Sequence, residues 1–155
     1  MDALNKHFLL PGAIFFASES YEITTILGSC VSVCLWDKVN KTGSINHFLL
    51  PFWNGKGLAS PRYGNIAIQK TIDKMLSSGS LLKNIEAKVF GGGEVLHTQN
   101  AYSIGQRNYE LALTFLKNEN VLIKAKSIGG ELGRKIIFNT QTGEVKMRFI
   151  QRLSI

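Results

Sequence analysis

The first half of the chain is built from short apolar runs with strand periodicity. Ile23 to Leu27 is β-branched, Val31, Val33 and Leu35 alternate with Ser32, Cys34 and Trp36, and Ile45 to Leu50 is a further apolar run, which predicts three strands. Between the last two, the polar, turn-forming residues Asp37 to Gly43 predict a hairpin connection. Ahead of all three, Phe8 to Ala17 (FLLPGAIFFA) reads as a buried strand after a turn. That stretch is well short of the ~20 apolar residues a bilayer span needs. Asp2 offsets Lys6 and Pro11-Gly12 interrupt the run, which argues against an export signal.

Helical periods appear in the second half. Ser60-Pro61 predict an N-cap followed by proline at the first helical position, and Ile68, Ile72, Met75 and Leu76 fall at helical spacing before Gly79. Ala87 to Phe90 reads as a short strand running into Gly91-Gly92-Gly93. Asn108 to Leu116 reads as a second helix with Tyr109, Leu113 and Leu116 as its apolar stripe. Val121 to Ile128 returns as a strand, and Lys135 to Phe138 and Val145 to Ile150 close the chain as a hairpin joined through residues 140–143. The order β-β-β-β-α-β-α-β-β-β predicts an α/β fold of the α+β kind: a mostly antiparallel sheet sandwich with two helices packed on it, one domain over residues 1–155.

Composition narrows the classes further. At 155 residues with 45% hydrophobic and 19% charged positions, a disordered tail, a collagen-like repeat and a disulfide-stapled mini-protein are excluded. The net charge of +7 favours acidic partners without choosing among nucleic acid, anionic membrane and an acidic protein surface. Two cysteines without an export signal point to a reducing cytoplasm.

Few residues offer chemistry. Cys30 follows Leu27-Gly28-Ser29, where a glycine just after a strand lets the chain turn sharply and present the next side chain, a reasonable seat for a nucleophile. A free cysteine is also commonly a small buried hydrophobe, and on this clue alone that reading is the stronger. Four residues of strand separate Cys30 from Cys34 by about 13 Å, beyond disulfide reach. No zinc motif is present, and His7, His47 and His97 stand in scattered contexts. Judged alone, His47 reads as a half-buried core histidine bonded to backbone, and the predicted hairpin can also bring it near Cys30. Paired residues of an antiparallel hairpin have a constant index sum, so only an odd-sum register brings Cys30 and His47 to one face. A thiol and imidazole on adjoining strands can form the activated pair of acyl-transfer chemistry, with Thr24 and Thr25 as the candidates to hold the imidazole tautomer. Gly91-Gly92-Gly93 lacks the phosphate-loop pattern and reads as a tight turn or a close backbone approach. Trp36, Phe52, Trp53, Tyr63 and Arg62 read as core and rim rather than a stacking surface, and Gly129-Gly130 and Gly133-Arg134 as turn geometry.

Pro11-Gly12, Ile23 to Asp37 (ITTILGSCVSVCLWD), Asn46 to Pro51 (NHFLLP), Arg62-Tyr63-Gly64, Ala87 to Gly92, Ile104 to Asn108 (IGQRN) and Gly129 to Gly143 together resemble, in order, the chemoreceptor glutamine deamidases of bacterial chemotaxis, the CheD family. The resemblance covers the chain from about residue 10 to residue 150. It implies Cys30 as nucleophile, His47 as general base and acid, and Thr24 as the residue that orients the histidine. Backbone N–H groups of the Gly28-Ser29-Cys30 turn then stabilise an oxyanion, and no cofactor and no metal are needed. It further implies deamidation of receptor glutamines through a γ-glutamyl thioester and a fold similar to the deamidating domain of cytotoxic necrotizing factors. The implied partner is the cytoplasmic domain of methyl-accepting chemoreceptors, with no nucleic acid and no membrane insertion. The alternative implied by the same resemblance is a non-catalytic module that binds a response-regulator phosphatase. Lys126 and Ser127 stand where members often carry an acidic pair, and Glu94 stands where a small residue is usual.

Overall fold

A computed structural model describes residues 4–94 and 103–150. In chain order its elements are β1 (Asn5–Phe8), β2 (Ile14–Ala17), β3 (Tyr21–Leu27), β4 (Val31–Asp37), β5 (Thr42–Asn46), α1 (Gly64–Ser77), β6 (Ile85–Gly91), α2 (Ile104–Asn118), β7 (Leu122–Ile128), β8 (Gly133–Asn139) and β9 (Val145–Ile150). They form a four-stranded sheet in the order β1-β3-β8-β9 and a five-stranded sheet in the order β2-β5-β4-β6-β7. Among the described strands, the β1/β3 and β6/β7 pairs are parallel and the other strand pairs are antiparallel, in keeping with the mostly antiparallel arrangement that the strand order predicts.

Alternation along β4 separates two cores. Val31, Val33 and Leu35 face α1 and α2, where they meet Ile68, Ile72, Met75, Leu111 and Leu116. Cys34 faces the other sheet and packs with Leu9, Ile23, Leu27, Ile45, Phe90, Ile136 and Phe138. The protein is therefore three layers deep, with the helices on one side of the five-stranded sheet and the four-stranded sheet on the other.

Four sequence expectations change. Phe8 to Ala17 is not one strand: Pro11-Gly12 forms a turn closed by Ala13 N–H on the Leu10 carbonyl, with Gly12 at φ 81°, and β1 and β2 on either side join different sheets. The Ile45–Leu50 run leaves the ladder after Asn46, because the Asn46 side-chain Oδ1 takes the Val33 N–H at 2.9 Å and pairing resumes only at the isolated Val31–Phe48 bridge. Ser60-Pro61 do not open α1. Its N-cap is Tyr63, without a side-chain bond, because the Arg62 carbonyl and the Gly64 N–H are committed to residues 49 and 50. Leu76 is 42% exposed and lies off the buried face. Finally, α2 begins at Ile104 behind Ser103, whose side chain accepts from the Gln106 N–H, and its buried face runs through Gly105, Asn108, Leu111, Ala112 and Leu116. Tyr109 and Leu113 flank that face, partly buried.

Candidate functional site

Gly28, Ser29 and Cys30 are the whole connection between β3 and β4, where the chain crosses from one sheet to the other. Three consecutive carbonyls of this short crossing are anchored. The Gly93 N–H donates to Gly28 O at 3.0 Å, the Asn108 Nδ2 to Ser29 O at 3.0 Å, and the Gly92 N–H to Cys30 O at 2.9 Å. Gly91, at φ 112°, packs so closely that a Cβ there would run into the Cys30 carbonyl. The triple glycine is thus a close backbone approach that braces the cysteine turn.

Cys30 is half-buried and Cys34 buried, and both are free thiols. His47 is 2% exposed, just beyond the end of β5. The pairings Cys34–Ile45 and Val31–Phe48 share one odd index sum, so Cys30 and His47 come to the same, inter-sheet face. Where Asn46 diverts the ladder, the His47 carbonyl turns instead to the Gly12 N–H at 2.7 Å, so the Pro11-Gly12 turn holds the histidine backbone.

Thr25, not Thr24, reaches the imidazole. Strand alternation sends Ile23, Thr25 and Leu27 inward, all fully buried, and turns Thr24 to the opposite face of β3 beside half-exposed Ile26. The Thr25 hydroxyl lies 2.7 Å from His47 Nδ1 and donates its one hydrogen to the Leu9 carbonyl at 2.9 Å. With that hydrogen spent, the oxygen can only accept from the ring, which assigns the proton to Nδ1 and leaves the Nε2 lone pair free. Burial pushes His47 down to about 4 and raises Cys30, against which the Cys30 backbone N–H is the opposing influence. Both effects favour an uncharged thiol and an uncharged imidazole.

Asn108 and the Leu9 carbonyl were not foreseen as parts of this site. A signal for Asn108 was available: a polar residue three and four positions before apolar Leu111 and Ala112, on the face that proves buried. Arg134, 2% exposed, ties down the 129–133 turn by donating to Ser127 Oγ at 3.1 Å and Gly129 O at 2.8 Å. His7 stacks on Phe15 at 4.0 Å, and His97 lies outside the described residues. Among the described residues no cluster of three or more His, Cys, Asp or Glu side chains is arranged to hold a metal ion.

Fold and site together define an α+β sandwich that brings a thiol and an imidazole of fixed tautomer to one face between its sheets. A family model described as CheD chemotactic sensory transduction matches residues 49–149. Relatives named "Probable chemoreceptor glutamine deamidase CheD" include one from Trichlorobacter lovleyi, 50% identical over 92% of this chain and 89% of its own length. Another, from Sulfurimonas denitrificans, is 39% identical over 95% of this chain and 96% of its own. A third, from Shewanella oneidensis and named "Probable chemoreceptor glutamine deamidase CheD 1", is 42% identical over 96% of this chain and 77% of its own. The chain belongs to the CheD family.

Proposed function

We propose that this chain, acting as one unit over residues 1–155 in the cytoplasm, hydrolyses glutamine side-chain amides of chemoreceptors to glutamate. The observation that carries the reading is the shared face of Cys30 and His47, with His47 Nδ1 tied to Thr25 and Nε2 left as the base. The relatives' name supplies the substrate class.

His47 Nε2 takes the thiol proton as Cys30 Sγ attacks the amide carbon, forming the C–S bond and an oxyanion. The Ser29 and Cys30 amides are the donors for that oxyanion, a contribution of about 3 kcal/mol per donor where such groups have been removed. Collapse breaks the C–N bond, and His47 passes its proton to the departing ammonia. Water, deprotonated by the same nitrogen, then attacks the γ-glutamyl thioester. The C–S bond breaks, glutamate leaves and the thiol recovers its proton. Thr25 accepts from Nδ1 throughout and stabilises the imidazolium formed in each half-reaction.

The test is peptide mass spectrometry on a purified chemoreceptor cytoplasmic fragment incubated with wild type and with Cys30→Ala. Conversion of glutamine to glutamate by wild type alone is expected. A folded Cys30→Ala variant that still converts the glutamines would sink the nucleophile assignment, and conversion by neither would leave the phosphatase-binding role as the better reading.

A further inference from the structure

We propose that Asn108 is a positioning residue that sets the direction of the Cys30 amide, acting through backbone carbonyls rather than on substrate. The inference rests on the deamidase reading above. Asn108 is fully buried on α2, and its Nδ2 donates to both Ser29 O and Leu49 O, each at 3.0 Å. Those carbonyls belong to the two segments that carry the chemistry. Ser29 precedes Cys30 and Leu49 lies two residues beyond His47, so one planar amide joins the nucleophile turn to the base segment.

Peptide geometry turns that clamp into a statement about the reaction. The Ser29 C=O and the Cys30 N–H belong to one planar trans unit and point in opposite directions. Fixing the carbonyl against Asn108 therefore fixes where the N–H points. Two further carbonyls are held in the same way by Gly92 and Gly93, but their anchors are backbone, and Asn108 is the side chain among the three. Its position is set from below: Gly105, one turn earlier on α2, packs so closely on the Gly92 and Gly93 carbonyls that a Cβ there would sit 2.6 Å from each oxygen.

Residue chemistry makes the choice specific. Two acceptor carbonyls require two hydrogens on one atom, which a primary amide has and a carboxylate, a thiol or an aliphatic group lacks. The opposite amide orientation would set Oδ1 against both carbonyl oxygens. In the orientation observed Oδ1 is buried and has no partner among the described residues, an unfavourable feature that the paired donors require.

The experiment measures steady-state deamidation of a receptor fragment by wild type, Asn108→Ala and Ser80→Ala, with iodoacetamide alkylation of Cys30 followed in parallel. Ser80 donates to Asp37 at 2.6 Å in a buried pair of its own and serves as the control for a lost buried hydrogen bond. The expected result for Asn108→Ala is a kcat at least about tenfold lower with KM changed by less than about twofold. Cys30 alkylation, which forms no oxyanion, should slow by less than about threefold, through the weaker hold of the same Cys30 N–H on the thiolate. Ser80→Ala keeps wild-type kcat. If Asn108→Ala does not fold, Asn108→Ser, which keeps one donor on a shorter arm, is read against the same expectations. An undiminished kcat in either folded variant, or a loss matched by Ser80→Ala, overturns the inference. So does a fall in kcat accompanied by faster alkylation, the mark of general loosening. Wild type that converts no glutamine overturns the deamidase reading and this inference with it, whereas wild-type turnover with undiminished Asn108→Ala overturns this inference alone.

Discussion

Replacing Thr25 with valine keeps the shape of the side chain and removes its hydroxyl, which spans 2.7 Å to His47 Nδ1 and 2.9 Å to the Leu9 carbonyl. Two buried groups lose a partner. At roughly 1–3 kcal/mol for each orphaned group, the stability loss is about 2–6 kcal/mol, not the cost of a surface change. In the proposed mechanism catalysis suffers separately, since the hydroxyl accepts from an imidazole that is cationic only while the proton is in transit. A hydrogen bond to a charged group contributes roughly 1.5–3 kcal/mol. At about 1.4 kcal/mol per tenfold, kcat should fall about 10- to 100-fold. Thr25→Ser keeps the hydroxyl and should recover most of that loss. Thr24→Val alters a side chain on the outer face of β3 and should leave kcat within about twofold and stability within about 0.5 kcal/mol. The assay is the rate of glutamine-to-glutamate conversion on a receptor fragment, with the folded fraction checked by circular dichroism. Thr24→Val as damaging as Thr25→Val, or a folded Thr25→Val with wild-type kcat, would refute the assignment.

Other consequences are directly measurable. Burial holds His47 at about 4 in the folded state against 6.5 ordinarily, so the unfolded chain binds a proton that the folded one refuses between these values. The His47 contribution to stability is therefore constant above about pH 6.5 and falls by about 3 kcal/mol as pH drops towards 4; urea unfolding of wild type and His47→Gln checks this, and an unaltered slope in the variant would contradict it. Gly91→Ala combines a left-handed φ of 112° with a methyl driven into the Cys30 carbonyl, so it should cost at least about 3 kcal/mol and most of the activity, read by denaturant midpoint and turnover. Iodoacetamide should label Cys30 and spare Cys34, which is 1% exposed and whose thiol burial pushes strongly up. The Cys30 rate should climb from neutral to alkaline pH, and a rate independent of pH from 6 to 9 would contradict the uncharged resting pair.

The strand alternation that carries the fold was legible because each sheet has one well-defined inward face: Val31, Val33 and Leu35 declare the helix-facing side of β4 without help from other elements. The parity rule for Cys30 and His47 was legible for the same reason, as it depends on the register of one hairpin. Thr24 against Thr25 was not resolved. Both sit in a β-branched run, and which one faces inward depends on the crossing at Gly28, where β3 and β4 part into different sheets. The Phe8–Ala17 run failed for a related reason. Its apolar residues serve both sheets, and sequence periodicity cannot say that a turn hands the chain from one to the other. The start of α1 was hidden because Arg62 and Gly64 backbone groups bond to a segment some dozen residues earlier, a tertiary demand that outweighed the local signal of Ser60-Pro61.

Placing the pair between the two sheets acts on both members in the same direction. Desolvation raises Cys30 and depresses His47, so each resists its charged form, and the resting centre holds its proton on sulfur. In the proposed mechanism negative charge then forms only as the amide carbon is attacked, passing through sulfur to the developing oxyanion. Under that sequence the donors awaiting the oxyanion contribute more than they would beside a standing thiolate, whose formation would already have been stabilised in the ground state. A site of this kind gains most from a rigid main-chain turn. That accounts for the anchoring of Gly28, Ser29 and Cys30 carbonyl by carbonyl, with two glycine amides and one asparagine fixing a three-residue crossing that no sheet ladder could hold.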